Sequence, residues 1–261
     1  MSELSAFLQG LPDRAEVRLL VLVFARLLPL VVFTPLFGGE ALPRRLRVGT
    51  ALVLSLVLVP ALSSSYRPID APFVAQLTKE VLMGIGYAVA VTIVFEMLGA
   101  VGALIDLSRG ATIANVLNPM TRQQTSLLSV FVLQLMLVLV FVSGGHRLLF
   151  ATLGESFITS APGAPLAPGF AVAGASTMIG LVSEFFALAL SLAGPAILVL
   201  LALDVALALV NRMAQQIEVF FLSLTLKASI GLAVLLLTLG LVLEVGLERS
   251  LHRLLVILRG G

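Results

Sequence analysis

Residues 184–227 read EFFALALSLAGPAILVLLALDVALALVNRMAQQIEVFFLSLTLK, and they decide what kind of chain this is. Nearly every position would suit a lipid bilayer, yet the stretch carries Glu184, Asp204, Arg212, Glu218 and Lys227. A charge held mid-bilayer costs about 2.5–3.5 kcal/mol on insertion scales. Such groups persist where they face water, a partner subunit or each other. Gly194–Pro195 interrupts the first apolar run, because proline lacks a backbone donor and clashes with the preceding turn. A polar turn at Asn211–Gln216 separates that run from the next. With the turn near Ala214, Asp204 and Lys227 lie at depths that differ by a few ångströms, at about 1.5 Å rise per residue. The spacing predicts an intramembrane Asp204–Lys227 pair, extended by Arg212 from a partner surface.

The whole chain is written in the same language. It is 59% hydrophobic and only 11% charged, where soluble domains carry about 25% charged residues. That composition makes it an integral membrane protein. The absence of cysteine excludes disulfides and thiolate chemistry. A net charge of +2 comes from scattered arginines rather than a basic run, so nucleic-acid binding has no support. With Trp absent, only Tyr66 and Tyr87 remain for an aromatic interfacial belt. The acidic start, MSELSAFLQGLPDRAEVRLL, lacks the positive region of a signal peptide, and the first apolar stretch is expected to remain as a span.

Six apolar segments are readable, at 17–38, 48–66, 81–105, 123–145, 176–210 and 219–243. About 20 helical residues cross a bilayer core. The fifth segment exceeds that, so it is tilted, kinked at Pro195, or folded there into two half-spans. The fourth is the cleanest, with 23 residues free of charge. Between the fourth and fifth, residues 146–175 read as a polar connection. Its APGAPLAPG stretch favours an extended, water-exposed excursion. The tail ERSLHRLLVILRGG places Arg249 and Arg253 at helical spacing and reads as an amphipathic terminal turn. Six spans would put eight Lys/Arg on the side holding both termini and six on the other, so charge asymmetry sets no orientation.

Ionisable residues punctuate these segments. Lys79 and Glu80 adjoin the third, Glu96 interrupts it and Asp106 ends it. Glu80 and Asp106 are expected to snorkel to the interface. Arg26, Glu96 and Asp204 lie deeper and are expected to be buried against protein or a polar channel. Catalytic machinery is not legible. With only His146 and His252 there is no multi-histidine metal motif, and neither GxSxG nor GxxxxGK[ST] occurs. Ser143-Gly-Gly-His146 reads as a helix end rather than a hydrolase site. The chain is expected to use no cofactor and not to be an enzyme. Broken apolar helices with midplane charges also describe small-solute secondary transporters, which stand as the alternative; paired halves with matching interruptions are not visible.

The motifs in order resemble the T/R component of type III protein export, the FliR/YscT/SpaR family. They are Arg26 with Pro29 and Pro35; LPRRLRVGTALVLSLVLVP at 42–60; Lys79-Glu80 followed by Gly84 and Gly86; and GALIDLSRGATIANVLNP at 102–119. Then come Gly144-Gly145-His146, Ser156, Pro195, Asp204, Asn211-Arg212, Val219-Phe220 and Lys227. The chain departs from the family pattern at Gln215, Glu218 and Thr225. The Asn211-Arg212 pair is nearer the virulence (injectisome) branch than the flagellar one.

The resemblance implies an all-α membrane subunit whose broken helical hairpins pack side by side in a helical export gate. One copy would join two other small membrane proteins, of the P/R and Q/S types, in the bacterial inner membrane, raised toward the periplasm. An export-switch protein would sit on the cytoplasmic side, and unfolded secreted proteins would pass through. A loop that plugs the closed channel in the family matches residues 109–124 here, with Arg109, Gly110, Asn115, Asn118, Pro119 and Met120 as constriction candidates. Arg26, Lys79, Glu80, Glu96, Asp106, Glu184, Asp204, Arg212 and Lys227 are the intramembrane or inter-subunit polar candidates, with pore lining or inter-subunit pairing expected of Arg26, Glu96 and Asp204.

Overall fold

Apolar side chains recurring every three or four residues dictate helix, and every described element is helical. The computed structural model describes residues 15–37, 39, 42–63, 66, 71–110, 126–165, 170–213 and 219–258. At 170–173, 219–220, 241, 243 and 245–258 only the backbone is described. The helices are α1 (Ala15–Phe33), α2 (Arg44–Ser63), α3 (Phe73–Ser108), α4 (Leu127–Val142), α5 (Gly145–Thr159), α6 (Phe170–Met213) and α7 (Val219–Leu258), with a 3-10 turn at Pro35–Phe37.

By length and composition α2, α3, Gly174–Met213 of α6 and Phe221–Gly240 of α7 can each cross a membrane, and the bent α4–α5 pair would make a fifth crossing. This is a multi-pass membrane protein. The first apolar segment is not among these spans. Glu16, Arg18 and Arg26 place three charges in the 19 residues of α1, and its Leu19, Leu22, Val23, Arg26, Leu27 and Leu30 face inward at regular helical spacing.

Three expectations need correction. Gly194–Pro195 does not break the fifth segment into two half-spans, because α6 runs as one 44-residue helix with Pro195 inside it. Proline forfeits one backbone bond, whereas unwinding within apolar surroundings would strand several. The 23-residue fourth span is instead a 16-residue helix. Gly144, at φ 77, turns the chain out of it, and Gly145 opens the next helix. The polar connection after it is helical over much of its length, because α5 runs through Thr159 and α6 already starts at Phe170. In α5, Thr152, Leu153, Ser156 and Phe157 form one buried face, and the proline-rich stretch begins only once that helix has ended.

The helices gather into two compact units. The first comprises Met1–Thr92, His146–Ile179 and Leu254–Gly261; within it α1 packs along α2 and supplies much of the core. Only Ala51 and Ser55 of α2 are buried, leaving Leu46, Leu52, Val53, Leu56 and Val57 exposed. The second comprises Ile93–Gly145 and Gly180–Arg253. Its interior includes Phe95, Leu98 and Ile105 of α3, Val132 and Met136 of α4, Leu200 of α6 and Leu235 of α7.

In each unit a close helix-to-helix backbone approach requires glycine. A Cβ on Gly84 would lie 2.2 Å from the carbonyl oxygen of Arg26, and one on Gly102 would lie 2.4 Å from the carbonyl carbon of Leu128. Gly84→Ala and Gly102→Ala are each expected to destabilise the detergent-solubilised chain by about 1–3 kcal/mol, the usual range for overpacking. Gly86→Ala, whose Cβ meets nothing within 4 Å, should be neutral. Thermal unfolding followed by circular dichroism separates the three.

Candidate functional site

Arg26 lies on the inner face of α1 with no solvent exposure, so its five donors must find protein acceptors. Nε donates to Oε2 of Glu80 at 2.6 Å, and Nη2 lies 2.6 Å from the same oxygen. Nη1 donates to the carbonyl of Ser156 at 2.9 Å and Nη2 to that of Ser160 at 2.8 Å. Those carbonyls lie at the C-terminal end of α5, the negative end of the helix dipole; that of Ser156 also accepts from the Ser160 N–H at 3.1 Å. The guanidinium also stacks 4.4 Å from the Phe157 ring centroid, a cation–π contact.

Glu80 is equally saturated. Its Oε1 accepts from the Gly163 N–H at 3.2 Å and lies 3.2 Å from Lys79 Nζ, which also donates to the Ala161 carbonyl at 3.0 Å. Gly163 holds φ +83, and a Cβ there would lie 2.8 Å from Gln76 Oε1. The network binds α1, α3, the end of α5 and the turn beyond it into one polar knot. Two cations face one carboxylate, and three main-chain carbonyls supply the remaining negative potential. A carboxylate with every oxygen occupied is arranged for holding helices, not for exchanging protons with a substrate.

The second unit has its own knot around Asp106. Its Oδ2 accepts from Ser126 Oγ at 2.5 Å and from the Leu128 N–H at 3.0 Å, while its Oδ1 lies 2.5 Å from Arg109 Nη2. Ser126 caps α4, its Oγ accepting from the Ser129 N–H at 3.0 Å. Asp106 therefore ties the end of α3 to the start of α4. Arg109 lies beside α7, where a Cβ on Gly231 would sit 3.4 Å from its Cδ. Elsewhere in this unit Lys227 of α7 pairs with Asp204 of α6. That pair is open, with the Asp204 side chain 43% exposed.

The structure therefore groups Arg26, Lys79 and Glu80 in one cluster, Asp106 and Arg109 in a second, and Asp204 and Lys227 in a third. Glu80 and Asp106 do not snorkel; both are buried against protein because each finds several donors there. Glu96, expected to be buried, is exposed on α3, and Glu184 and Arg212 are exposed on α6. Gly110 ends the α3 turn at φ 78. Asn115, Asn118, Pro119, Met120, Gln215, Gln216 and Glu218 lie outside the described residues. Ser126 and Gly163 were not singled out by sequence reasoning. Ser126 had a signal, a hydroxyl residue directly before an apolar run; Gly163 was masked by its prolines. Arg47 also holds an unanticipated place, donating to the Val32 carbonyl near the end of α1 at 2.8 Å.

An all-helical, multi-pass membrane protein whose buried charges fasten helix ends is the class these features define. The chain belongs to the bacterial export proteins, family 1, whose model matches residues 17–251. It is 27% identical over 238 residues to the flagellar biosynthetic protein FliR of Caulobacter vibrioides, covering 90% of this chain and 93% of that one. It is 30% identical over 224 residues to the secretion system apparatus protein SsaT of Salmonella typhimurium, covering 84% and 86%. It is 28% identical over 203 residues to the Yop proteins translocation protein T of Yersinia pestis, covering 77% and 76%. Flagellar and secretion-system relatives thus match at similar identity.

Arg26→Met is expected to cost about 3–5 kcal/mol, the usual loss when one member of a buried ion pair is removed. Arg26→Lys should fall between, since an ammonium cannot span the Glu80 carboxylate and both α5 carbonyls. Thermal melts in a mild detergent give the ranking. For the partly exposed pair, a double-mutant cycle with Asp204→Asn and Lys227→Gln is expected to show a coupling of about 0.2–1 kcal/mol. Strict additivity would remove the pair as a contributor to stability.

Proposed function

We propose that this chain is a structural subunit of the export gate of a type III protein secretion apparatus, helping to form and close the channel for unfolded protein substrates. The observation that carries the reading is the family match across 17–251, with relatives named as secretion, translocation and flagellar biosynthesis proteins. The chain is not an enzyme but a structural part of a larger apparatus. The ionisable groups of the Arg26–Glu80 and Asp106 knots are spent on internal fastening, and many large apolar side chains face outward. In α2 and in Phe221–Gly240 of α7 only 11% of the spanning window is buried. Helices apolar all round need neighbours or lipid. That need supports placing small export-gate membrane subunits of the P/R and Q/S types against them, and an export-switch protein on the cytoplasmic side. The site is the inner membrane, raised toward the periplasm within the basal body.

In the same reading residues 109–124 plug the closed channel. The Asp106 knot supports it. The two feet of the connection, Arg109 and Ser126, are both held by one carboxylate, so the chain departs from α3 and re-enters at α4 beside a single side chain. Gly110 gives its first step the left-handed turn. The independent small-solute transporter is not favoured, since the family is one of export proteins.

Deleting residues 111–120 is expected to raise ion leakage through the complex assembled with its gate partners, measured as growth sensitivity or conductance in reconstituted membranes. A sealed deletion complex would refute the plug. A wild-type chain co-expressed with the gate subunits that purifies in mild detergent with none of them attached would refute the gate assignment itself.

A further inference from the structure

Between Glu80 and Asp106 the helix α3 carries one charge, Glu96. Any 20-residue stretch placed between these two residues contains it, and at 1.5 Å per residue Glu96 is then at least about 6 Å inside the apolar run. It is exposed and, among the described residues, makes no ion pair or hydrogen bond. Helical geometry puts Glu96 on one stripe with Thr92, Ala100, Ala103 and Leu107, and with Val89 two turns earlier. Val89 and Leu107 are exposed large apolar residues, and Ala100 and Ala103 are half-exposed. The opposite stripe, with Val94, Leu98, Val101 and Ile105, is fully packed.

We propose that this stripe docks a membrane helix of another gate subunit that brings a Lys or Arg into an apolar run opposite Glu96. The inference rests on the gate assignment above and adds a specific contact to it. Charge complementarity chooses the occupant. A carboxylate alone on a greasy face is costly against lipid, and a cation on a neighbouring helix removes that cost. The flanking residues argue against an aqueous wall: a channel lining would surround the carboxylate with free polar groups, whereas here the one polar neighbour, Thr92, turns its hydroxyl to the Phe33 carbonyl at 3.4 Å and the rest are Val, Ala and Leu. Small residues at 100 and 103 let a neighbouring backbone come close. The face also has a register, since the acidic position fixes where along α3 the partner's cation must stand.

The test uses the full chain co-expressed with its gate partners. Glu96→Lys places like charges together and is expected to lower the yield of assembled complex at least about tenfold, with Glu96→Gln intermediate. Both variants should keep the wild-type melt of the uncomplexed chain, because Glu96 holds no internal contact; that melt separates lost docking from lost folding. A photoreactive benzoylphenylalanine at Val89 should cross-link to a gate subunit, and the mapped segment should carry a Lys or Arg within an apolar run. Replacing that cation with Glu should restore assembly of the Glu96→Lys chain. Wild-type assembly of Glu96→Lys, adducts with lipid alone, or a mapped segment lacking a cation would each overturn the proposal. All three can occur with the gate assignment intact, which fails only when the wild-type chain assembles with no gate subunit.

Discussion

The first unit depends on one guanidinium. Arg26 sits in the middle of α1, where lipid cannot accept it, so that helix has to be surrounded by protein. What surrounds it is decided by what a guanidinium needs. A carboxylate comes from α3, an aromatic face from α5, and two carbonyls from the place where α5 stops. Glycine at 84 lets α3 approach until its backbone touches that of Arg26. The cation is therefore an organiser of helices, and the apolar residues around it follow its lead.

The second unit applies the same chemistry with the sign reversed. Asp106 gathers a hydroxyl and an N–H at the beginning of α4, as Arg26 gathers carbonyls at the end of α5. Helix ends leave backbone groups without partners, and in apolar surroundings there is no water to supply them. Buried charges have the converse difficulty, being fully desolvated with too few counter-charges. Joining the two answers both needs, and the sign follows the helix dipole, anion at an N-terminus and cation at a C-terminus. Lys79, with the Ala161 carbonyl and Glu80, extends the scheme. The Asp204–Lys227 pair lies outside it, since it joins two helix bodies and leaves its carboxylate partly open.

Much of this was legible in the sequence. The apolar runs became helices, the family motifs pointed to an export protein, and hairpin depth alone put Lys227 within reach of Asp204. What was not legible depended on partners distant in the chain. Glu80 and Asp106 stand at the ends of apolar runs, which looks like a water interface; only the folded structure brings Ser126, Gly163 and Arg26 to them. Pro195 looked like a break because local propensity counts one lost hydrogen bond and not the several that unwinding would add. Residues 146–159 were hidden by the prolines after them, although the spacing of Leu149, Leu153 and Phe157 was already helical. Glu96 is the converse case. Its depth in the sequence calls for protein or a polar channel beside it, and within this chain it faces outward, because depth along a helix does not say which neighbour a side chain meets.

The shared carboxylate of Asp106 has a consequence for how the chain can change over time. Because one side chain holds both ends of the connection from Arg109 to Ser126, the distance between those ends does not depend on how many residues lie between them. Lengthening a closed loop costs only about 0.6 kcal/mol per doubling, and here the closure is already made by the helices. Insertions between the two feet leave the register of α3 and α4 untouched, whereas a residue added between Asp106 and Arg109, or between Ser126 and Leu128, would pull the donors away from the acid. The chain thus carries a length-tolerant site bordered by two length-intolerant ones, and that boundary marks where a tag can be inserted without disturbing the helices.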